Sequence, residues 1–547
     1  MVKLIKLFII FRTNINIILF GIYLCLFVAC FFPQTTGFSD QLILPKWYLA
    51  ITVVTILLMV EACLIYIKNT FPSEICNKIP QKHKGELFAL ALSIVTTFES
   101  IYVIMSSFFY NNITYTTILG TFDNPSGMSL HLCLGIPFIY YSAKICHKKF
   151  WHKFLYLSIC LVVLAICLSR SRTGLICLTG FLSAILCTQN KIHKWVKLVL
   201  IIILVLGTTV WVLTYKQDSS NGRLFILERS WELIQKKPWT GFGIGGFERE
   251  YMWIQEQYFA IHTNSEYAWL ADEIRHPLNE FIYVWVNFGI AAPCIMLLSF
   301  VGLIYWLVKQ KNFLTDTIIY ALISLFIFSC FSYPFRYPLP WIIIAFAFTC
   351  IKEINNIYFR LKNLTAFLLL LISLYIGSQI AIAWYYERKW SYTATCASLG
   401  GSKQMMSEYK LLYKHYAKNP YFLYNYAVEQ LYAGYFTSAL HTAKKCSNYW
   451  ASYNLQLLKG DICYYLKQYN EAIHYYQTAN NMCPVRFAPL EGLYRIYKAC
   501  NEPDKADSIS TIIHNKKIKI LSPEIIKIKK NIMEKSDHAV MVDEKIK

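Results

Sequence analysis

The stretch IRHPLNEFIYVWVNFGI, residues 274–290, sets a His, a Pro, an Asn and a Glu at the mouth of a long apolar run. An imidazole with an unperturbed pKa near ~6.5 takes a proton from a hydroxyl nucleophile near neutral pH, so His276 is a candidate general base. Pro277 fits the first turn of a helix, a placement that lets Asn279 and Glu280 approach the face of His276. Such a helix start also offers unpaired N–H groups and a partial positive charge to an anion. The plain alternative is a helix cap with a water-facing His. A second His, His262 in IHTNSEY, is the alternative base.

Arginines supply the other half of the chemistry. LSRSRTGL brings Arg170 and Arg172 to the end of one apolar run, and NGRLFILERSWELI places Arg223 at the start of an amphipathic helix. A permanent charge with forked donors suits phosphate oxygens, whereas a neutral sugar needs no such cluster. An interfacial Arg is commonly a snorkelling anchor. Arg170 and Arg172 fall on the side that basic residues avoid, which weakens that alternative. Arg275, Asn279 and Glu280 beside His276 join Arg170 as substrate-binding candidates, as do Asp123 and Asn124, which otherwise order their turn. Glu61 and Glu99 lie inside apolar runs, where a carboxyl is costly and either functional or a bridge between helices. GFGIGG, Gly241 to Gly246, has the spacing of a dinucleotide loop but follows a helical stretch ended by Pro238 rather than a strand. A tight turn where backbone approaches something closely explains it better.

These groups need a scaffold, and composition says which. Of 547 residues, 56% are hydrophobic and only 16% charged, too apolar for a water-soluble chain of this length. Apolar runs predict an all-α polytopic membrane bundle of about eleven transmembrane helices. They fall at 14–32, 47–67, 87–108, 128–143, 154–169, 173–188, 195–214, 280–307, 314–331, 338–351 and 365–386. No cleavable signal peptide is evident in the first run. Lys and Arg alternate between successive connections, which puts the N-terminus in the cytoplasm and the 215–277 loop and the tail outside, in the periplasm of a diderm cell. Much of the +21 formal charge therefore serves topology, and without one exposed basic patch a nucleic-acid partner is not expected.

Three parts follow: a membrane domain over 1–387, a soluble helical repeat domain over 388–523, and a basic tail over 524–547. In the repeat domain, Gly460, Ala472, Tyr476, Ala479 and Pro484 fit the small, aromatic and proline positions of a tetratricopeptide repeat of ~34 residues. Ala439 and Ala506 repeat the Ala472 position at about that spacing, so the tail reads as a TPR-like α-solenoid with a concave surface for a protein partner. Cys396, Cys446, Cys463, Cys483 and Cys500 of the tail have no Cys-x-x-Cys spacing and read as mostly buried thiols. No metal-ligand pattern and no cofactor motif stands out.

GTFDNPSGMSL (120–130), SRSRTGL (169–175), NGRLFIL (221–227), PWTGFGIGGF (238–247) and HPLNEFIYVWVNFGI (276–290) occur in the order and spacing of the O-antigen ligase and polymerase superfamily. Over residues 85–345 the chain resembles that family, which includes protein O-oligosaccharyltransferases. The resemblance implies a GT-C-like bundle that transfers a glycan, without a metal, from an undecaprenyl-diphosphate carrier at the periplasmic face of the bacterial inner membrane. The acceptor it implies is a hydroxyl of lipid A core, another glycan or a protein. It places the family's arginines on Arg172 and Arg223 and its loop histidine on His276. Many members carry the His immediately before the Asn, where this chain has Leu278, so His262 stays open as the base.

A lipid-linked-glycan flippase would show repeated or broken transmembrane halves, and a non-catalytic envelope scaffold would leave the arginine and histidine set without a task. From the alternation of basic connections, a periplasm-dependent reporter fused after residue 390 is expected to be active and a cytoplasm-dependent one silent. The reverse pattern would overturn the assigned orientation.

Overall fold

Apolar segments that leave water must satisfy their own backbone N–H and C=O groups, and a helix does so within one segment. The computed structural model describes residues 15–70, 81–109, 118–188, 193–214, 217–352 and 362–532; among them no strand occurs. Among the described residues seven helices are long and apolar enough to cross a membrane, and Ile15–Phe31, Arg172–Thr188 and Pro338–Thr349 are shorter apolar helices. The protein is a polytopic helical membrane protein. Its contacts divide it into two units, one of Met1–Tyr215, Leu278–Glu280 and Cys294–Ser391, the other of Lys216–Pro277, Phe281–Pro293 and Tyr392–Lys547.

The first unit contains α1 (Ile15–Phe31), α2 (Leu44–Thr70), α3 (Gln81–Phe109), α4 (Pro125–Ile145), α5 (Lys149–Leu168), α6 (Arg172–Thr188) and α7 (Lys194–Thr214). α4 is its centre, enclosed by α3, α5, α6 and α12 (Phe313–Phe331) and buried along most of its length. Asn124 caps α4 and Pro125 opens it, the pairing expected where a first-turn N–H needs no partner. Lys194–Trp211 of α7, by contrast, buries none of its residues and presents an apolar surface all round, as lipid contact requires.

The second unit joins two stretches far apart in sequence. From the first come α8 (Gln217–Lys236) and α9 (Gly246–Ile261), which share the small core of Phe225, Phe259 and Ala271. The second supplies helical hairpins built from α15 (Ser402–Tyr416), α16 (Pro420–Tyr432), α17 (Phe436–Cys446), α18 (Tyr453–Tyr465), α19 (Tyr469–Met482), α20 (Ala488–Ala499) and α21 (Pro503–Asn515). Ala439, Ala472 and Ala506 are each 0% exposed, so the recurring small residue is where neighbouring helices meet. The Tyr476 ring fills the space left by Gly460 and Gly492, where a Cβ would lie 2.7 and 2.5 Å from it. All the described cysteines, Cys446, Cys463 and Cys483 of the hairpins among them, are free thiols.

One expected span is corrected. The run 280–307 is not one helix but two, α10 (Glu280–Phe288) and α11 (Ala291–Lys309), with Gly289 at φ 76° between them. The cause is a second strand of backbone. Phe242 N and Gly243 N donate to Val286 O and Asn287 O at 2.9 and 2.7 Å, and Ile290 N donates to Pro238 O at 3.0 Å. This is the close approach that GFGIGG suggested, and Gly241, Gly243 and Gly245 all adopt positive φ to make it. A Cβ on Gly289 would stand 1.9 Å from Trp239 O, whereas one on Gly243 would meet nothing within 4 Å. Gly289→Ala is therefore expected to cost more than the roughly 1–3 kcal/mol of left-handed strain alone, and Gly243→Ala to cost only that strain. Thermal unfolding of the purified protein checks the order.

Candidate functional site

In the first unit the polar groups gather on the connection that leads into α4. Lys46, only 1% exposed, donates from Nζ to Thr121 O at 2.6 Å and lies 3.7 Å from the Phe122 ring centroid. Glu99, 0% exposed, accepts from Thr121 N at 3.0 Å and Thr121 Oγ at 3.1 Å. Thr121 is thus gripped from both sides by buried ionisable groups, which is tolerable in an apolar surrounding only because each has a hydrogen-bonded partner. His131 packs at a tilt against Phe122 with centroids 4.2 Å apart and pairs Nδ1 with Gly127 O at 2.8 Å. Glu61, the other carboxyl within a span, pairs with Lys84 at 2.6 Å and so acts as a bridge.

The gripped connection delivers Asp123 and Asn124. Asp123 accepts a hydrogen bond from the Tyr337 hydroxyl and lies 3.6 Å from the Arg336 guanidinium, which also reaches Asp40 at 3.3 Å. Asn124 Oδ1 accepts from Gly127 N at 2.6 Å, while Nδ2 lies 2.7 and 2.8 Å from the Tyr333 and Tyr337 hydroxyls. Sequence reading finds Asp123 and Asn124 but misses Lys46, Tyr333, Arg336 and Tyr337. The signal available for the last three is SYPFRYPLP, residues 332–340, a dense polar and aromatic interruption between two apolar runs.

Arg170 takes the left-handed conformation at φ 52°, and Arg172 opens α6. Serines hold that turn: Ser169 Oγ accepts from Ser171 N at 3.1 Å, and Ser129 Oγ donates to Ser171 Oγ at 2.8 Å. Asn279 Nδ2 donates to Cys330 O at 2.9 Å, and Glu280, 5% exposed, accepts from Phe335 N at 3.3 Å. Both tie down the start of α10. The expectation that a helix begins at Pro277 is corrected here, because Leu278 is left-handed at φ 57° and the helix begins at Glu280. His276 therefore does not share a helical face with Asn279 and Glu280.

In the second unit His276 stacks on Tyr283 with centroids 4.6 Å apart, and the Tyr283 hydroxyl donates to Glu248 Oε1 at 2.8 Å. This ring, phenol and carboxylate chain can orient an imidazole, and sequence reading finds neither Tyr283 nor Glu248. Arg223 is half-buried on α8, nearly two turns before Arg229, whose guanidinium lies 4.4 Å from the Tyr258 ring. His262 is exposed, ends α9, and stacks on Tyr258 at 4.5 Å with Nδ1 3.0 Å from Tyr258 O. Arg275 faces the hairpins: it pairs with Glu273 at 3.5 Å and lies 4.8 and 5.3 Å from the Trp450 and Tyr421 rings.

The hairpins grip the loop that carries these residues. Gln255 of α9, 0% exposed, donates to Met482 O at 2.6 Å and Asp272 O at 3.0 Å. Glu273 accepts from Ser452 Oγ and Asn454 Nδ2, both at 2.8 Å, and Arg486 forks onto Asp272 at 2.7 and 2.9 Å. The Asp272–Arg486 pair is about half exposed and contributes little, whereas the buried Gln255 amide has no water to fall back on.

Residues 157–297 match the family model described as O-Antigen ligase. The segment is thus similar to that family, and the likeness supports glycosyl transfer of the ligase or polymerase type in general. It spans Arg170, Arg172, Arg223, His262, Arg275, His276, Asn279 and Glu280, and it leaves Asp123, Asn124 and the Lys46 cluster outside. No curated protein matches the chain.

Asn124→Ala removes a helix cap and a donor to two phenols, and is expected to lower stability by about 0.5–2 kcal/mol. Asn124→Asp restores the cap acceptor but sets a second carboxylate beside Asp123, so it is expected to recover little. Unfolding midpoints in detergent, with hydrogen exchange at the Gly127 amide, separate the two effects.

Proposed function

We propose that the protein transfers a glycan from an undecaprenyl-diphosphate carrier to an acceptor hydroxyl at the periplasmic face of the bacterial inner membrane, without a metal ion. The observation that carries this reading is the O-antigen ligase match over the segment holding Arg172, Arg223 and His276. Candidate acceptors are lipid A core, a further glycan and a protein Ser or Thr. The N-terminus lies in the cytoplasm, and the 215–277 loop and the TPR-like hairpins lie outside.

In this reading the acceptor oxygen attacks the anomeric carbon as His276 removes its proton. The bond from that carbon to the carrier diphosphate breaks, and the electron pair leaves on a phosphate oxygen. Arg172 and Arg223 offset the charge that develops there, for which a fork of fixed donors suits phosphate better than an ammonium. Glu248, through Tyr283, positions the imidazole. Arg170, Asn279, Glu280, Asp123 and Asn124 bind substrate or hold the elements that do.

Purified protein in liposomes, given undecaprenyl-diphosphate-linked glycan and each acceptor in turn, tests the reading by the fate of labelled sugar. Arg172→Lys and Arg223→Lys are each expected to cut transfer well over tenfold, more than ~1.4 kcal/mol of transition-state stabilisation. His276→Ala is expected to bind donor yet lose transfer by ~10²–10⁴, the usual worth of a general base, while His262→Ala stays active. A dead His262→Ala beside an active His276→Ala would move the base to His262. Full activity in all four variants would sink the mechanism.

A further inference from the structure

An open pocket of about 490 Å³ lies among α15, α16 and α17, within the second unit and on residues that the transfer chemistry does not use. This size falls in the ~300–1,000 Å³ range of small-molecule sites. Its floor is polar and buried: Gln430 and Thr442 are each 6% exposed, beside the Tyr426 ring at 6%. Its rim carries the exposed side chains of Lys410 and His441. Tyr413 lines one wall, and its ring is fixed by Lys445, whose ammonium contacts the Tyr413 hydroxyl and lies 4.6 Å from the ring centroid.

Gln430 Oε1 is buried and accepts no hydrogen bond among the described residues, while the same side chain bonds the Tyr426 hydroxyl. Leaving such an acceptor unmatched costs roughly 1–3 kcal/mol, which a ligand N–H or O–H would recover. The pocket is confined to three helices. An extended peptide, at ~3.3 Å per residue, needs a longer groove, whereas a ring with equatorial hydroxyls fits a compact polar site with an aromatic wall.

We propose that this pocket is a saccharide subsite, taking a hexopyranose that carries an acetamido N–H or hydroxyl for Gln430 and a carboxylate for Lys410. The choice of a saccharide rests on the glycan-transfer reading above. The site would hold a glycan chain on residues other than those of the transfer chemistry.

The test uses the full chain in lipid nanodiscs with no lipid-linked donor. A hyaluronan tetrasaccharide, which presents both glucuronic acid and N-acetylglucosamine, is titrated by saturation-transfer NMR and calorimetry against an acidic hexapeptide. The tetrasaccharide is expected to bind, with Gln430→Leu and Tyr413→Leu each weakening it at least tenfold. Lys410→Ala, at an exposed position that leaves folding intact, is expected to weaken it severalfold and reduce its salt sensitivity. Absence of saccharide binding, binding indifferent to Lys410→Ala and Gln430→Leu alike, or preferential binding of the hexapeptide would overturn the proposal. Because no transfer is measured, failure here leaves the transferase reading standing, and loss of transfer leaves this subsite standing.

Discussion

Backbone meets backbone where the 238–246 turn lies along the end of α10, and much of the second unit hangs on that contact. Three main-chain hydrogen bonds between the two stretches fix where α10 stops, and three glycines at positive φ give the turn its path. Asn287 Oδ1 then accepts from Phe247 N at 3.0 Å, which sets the start of α9. α9 in turn carries Glu248, the carboxylate behind Tyr283 and His276. Little side-chain identity is required for the contact itself, only room for two main chains. That is why glycine appears there so densely.

The first unit is organised differently, by charge taken out of water. Lys46 and Glu99 sit on separate helices and converge on one residue, Thr121. Each is committed to its geometry once buried, because a lost hydrogen bond would leave a polar group unmatched in apolar surroundings. Residues 121–124, just ahead of α4, are thereby held firmly. Asp123 and Asn124 inherit that rigidity and pass it to the Tyr333, Arg336 and Tyr337 segment.

What sequence revealed and what it concealed follow from the range of the interactions. Long apolar runs and the repeated small residues of the hairpins are local patterns, and the helices stand where those patterns lie. The break at Gly289 is invisible to hydropathy, since NFGIAAP reads as continuous apolar chain. Lys46 lies just ahead of the apolar run that starts at residue 47, whereas α2 begins at Leu44 and takes the lysine inside. Arginines announced themselves by type. Glu248, Tyr283 and Gln255 did not, because each matters through a partner that no periodicity links to it; Gln255 and Met482 are 227 positions apart.

That distant pairing also raises a question of parity. Residues 216–277 and 281–293 and the chain from residue 392 belong to one unit. A unit that keeps to one side of a bilayer is re-entered only after an even number of crossings. Of the intervening helices, α11, α12 and the long α14 (Lys362–Cys396) have the length of a span, and three crossings would strand the hairpins on the opposite face from the loop. The twelve-residue α13 (Pro338–Thr349), roughly 18 Å of helix, is the apolar helix left for a fourth passage. Such a short rod traverses a bilayer only where the adjoining irregular backbone is buried in protein or the membrane thins to meet it. At its head the irregular Tyr333–Tyr337 segment is tied to the protein through its tyrosine hydroxyls, which meet Asp123 and Asn124.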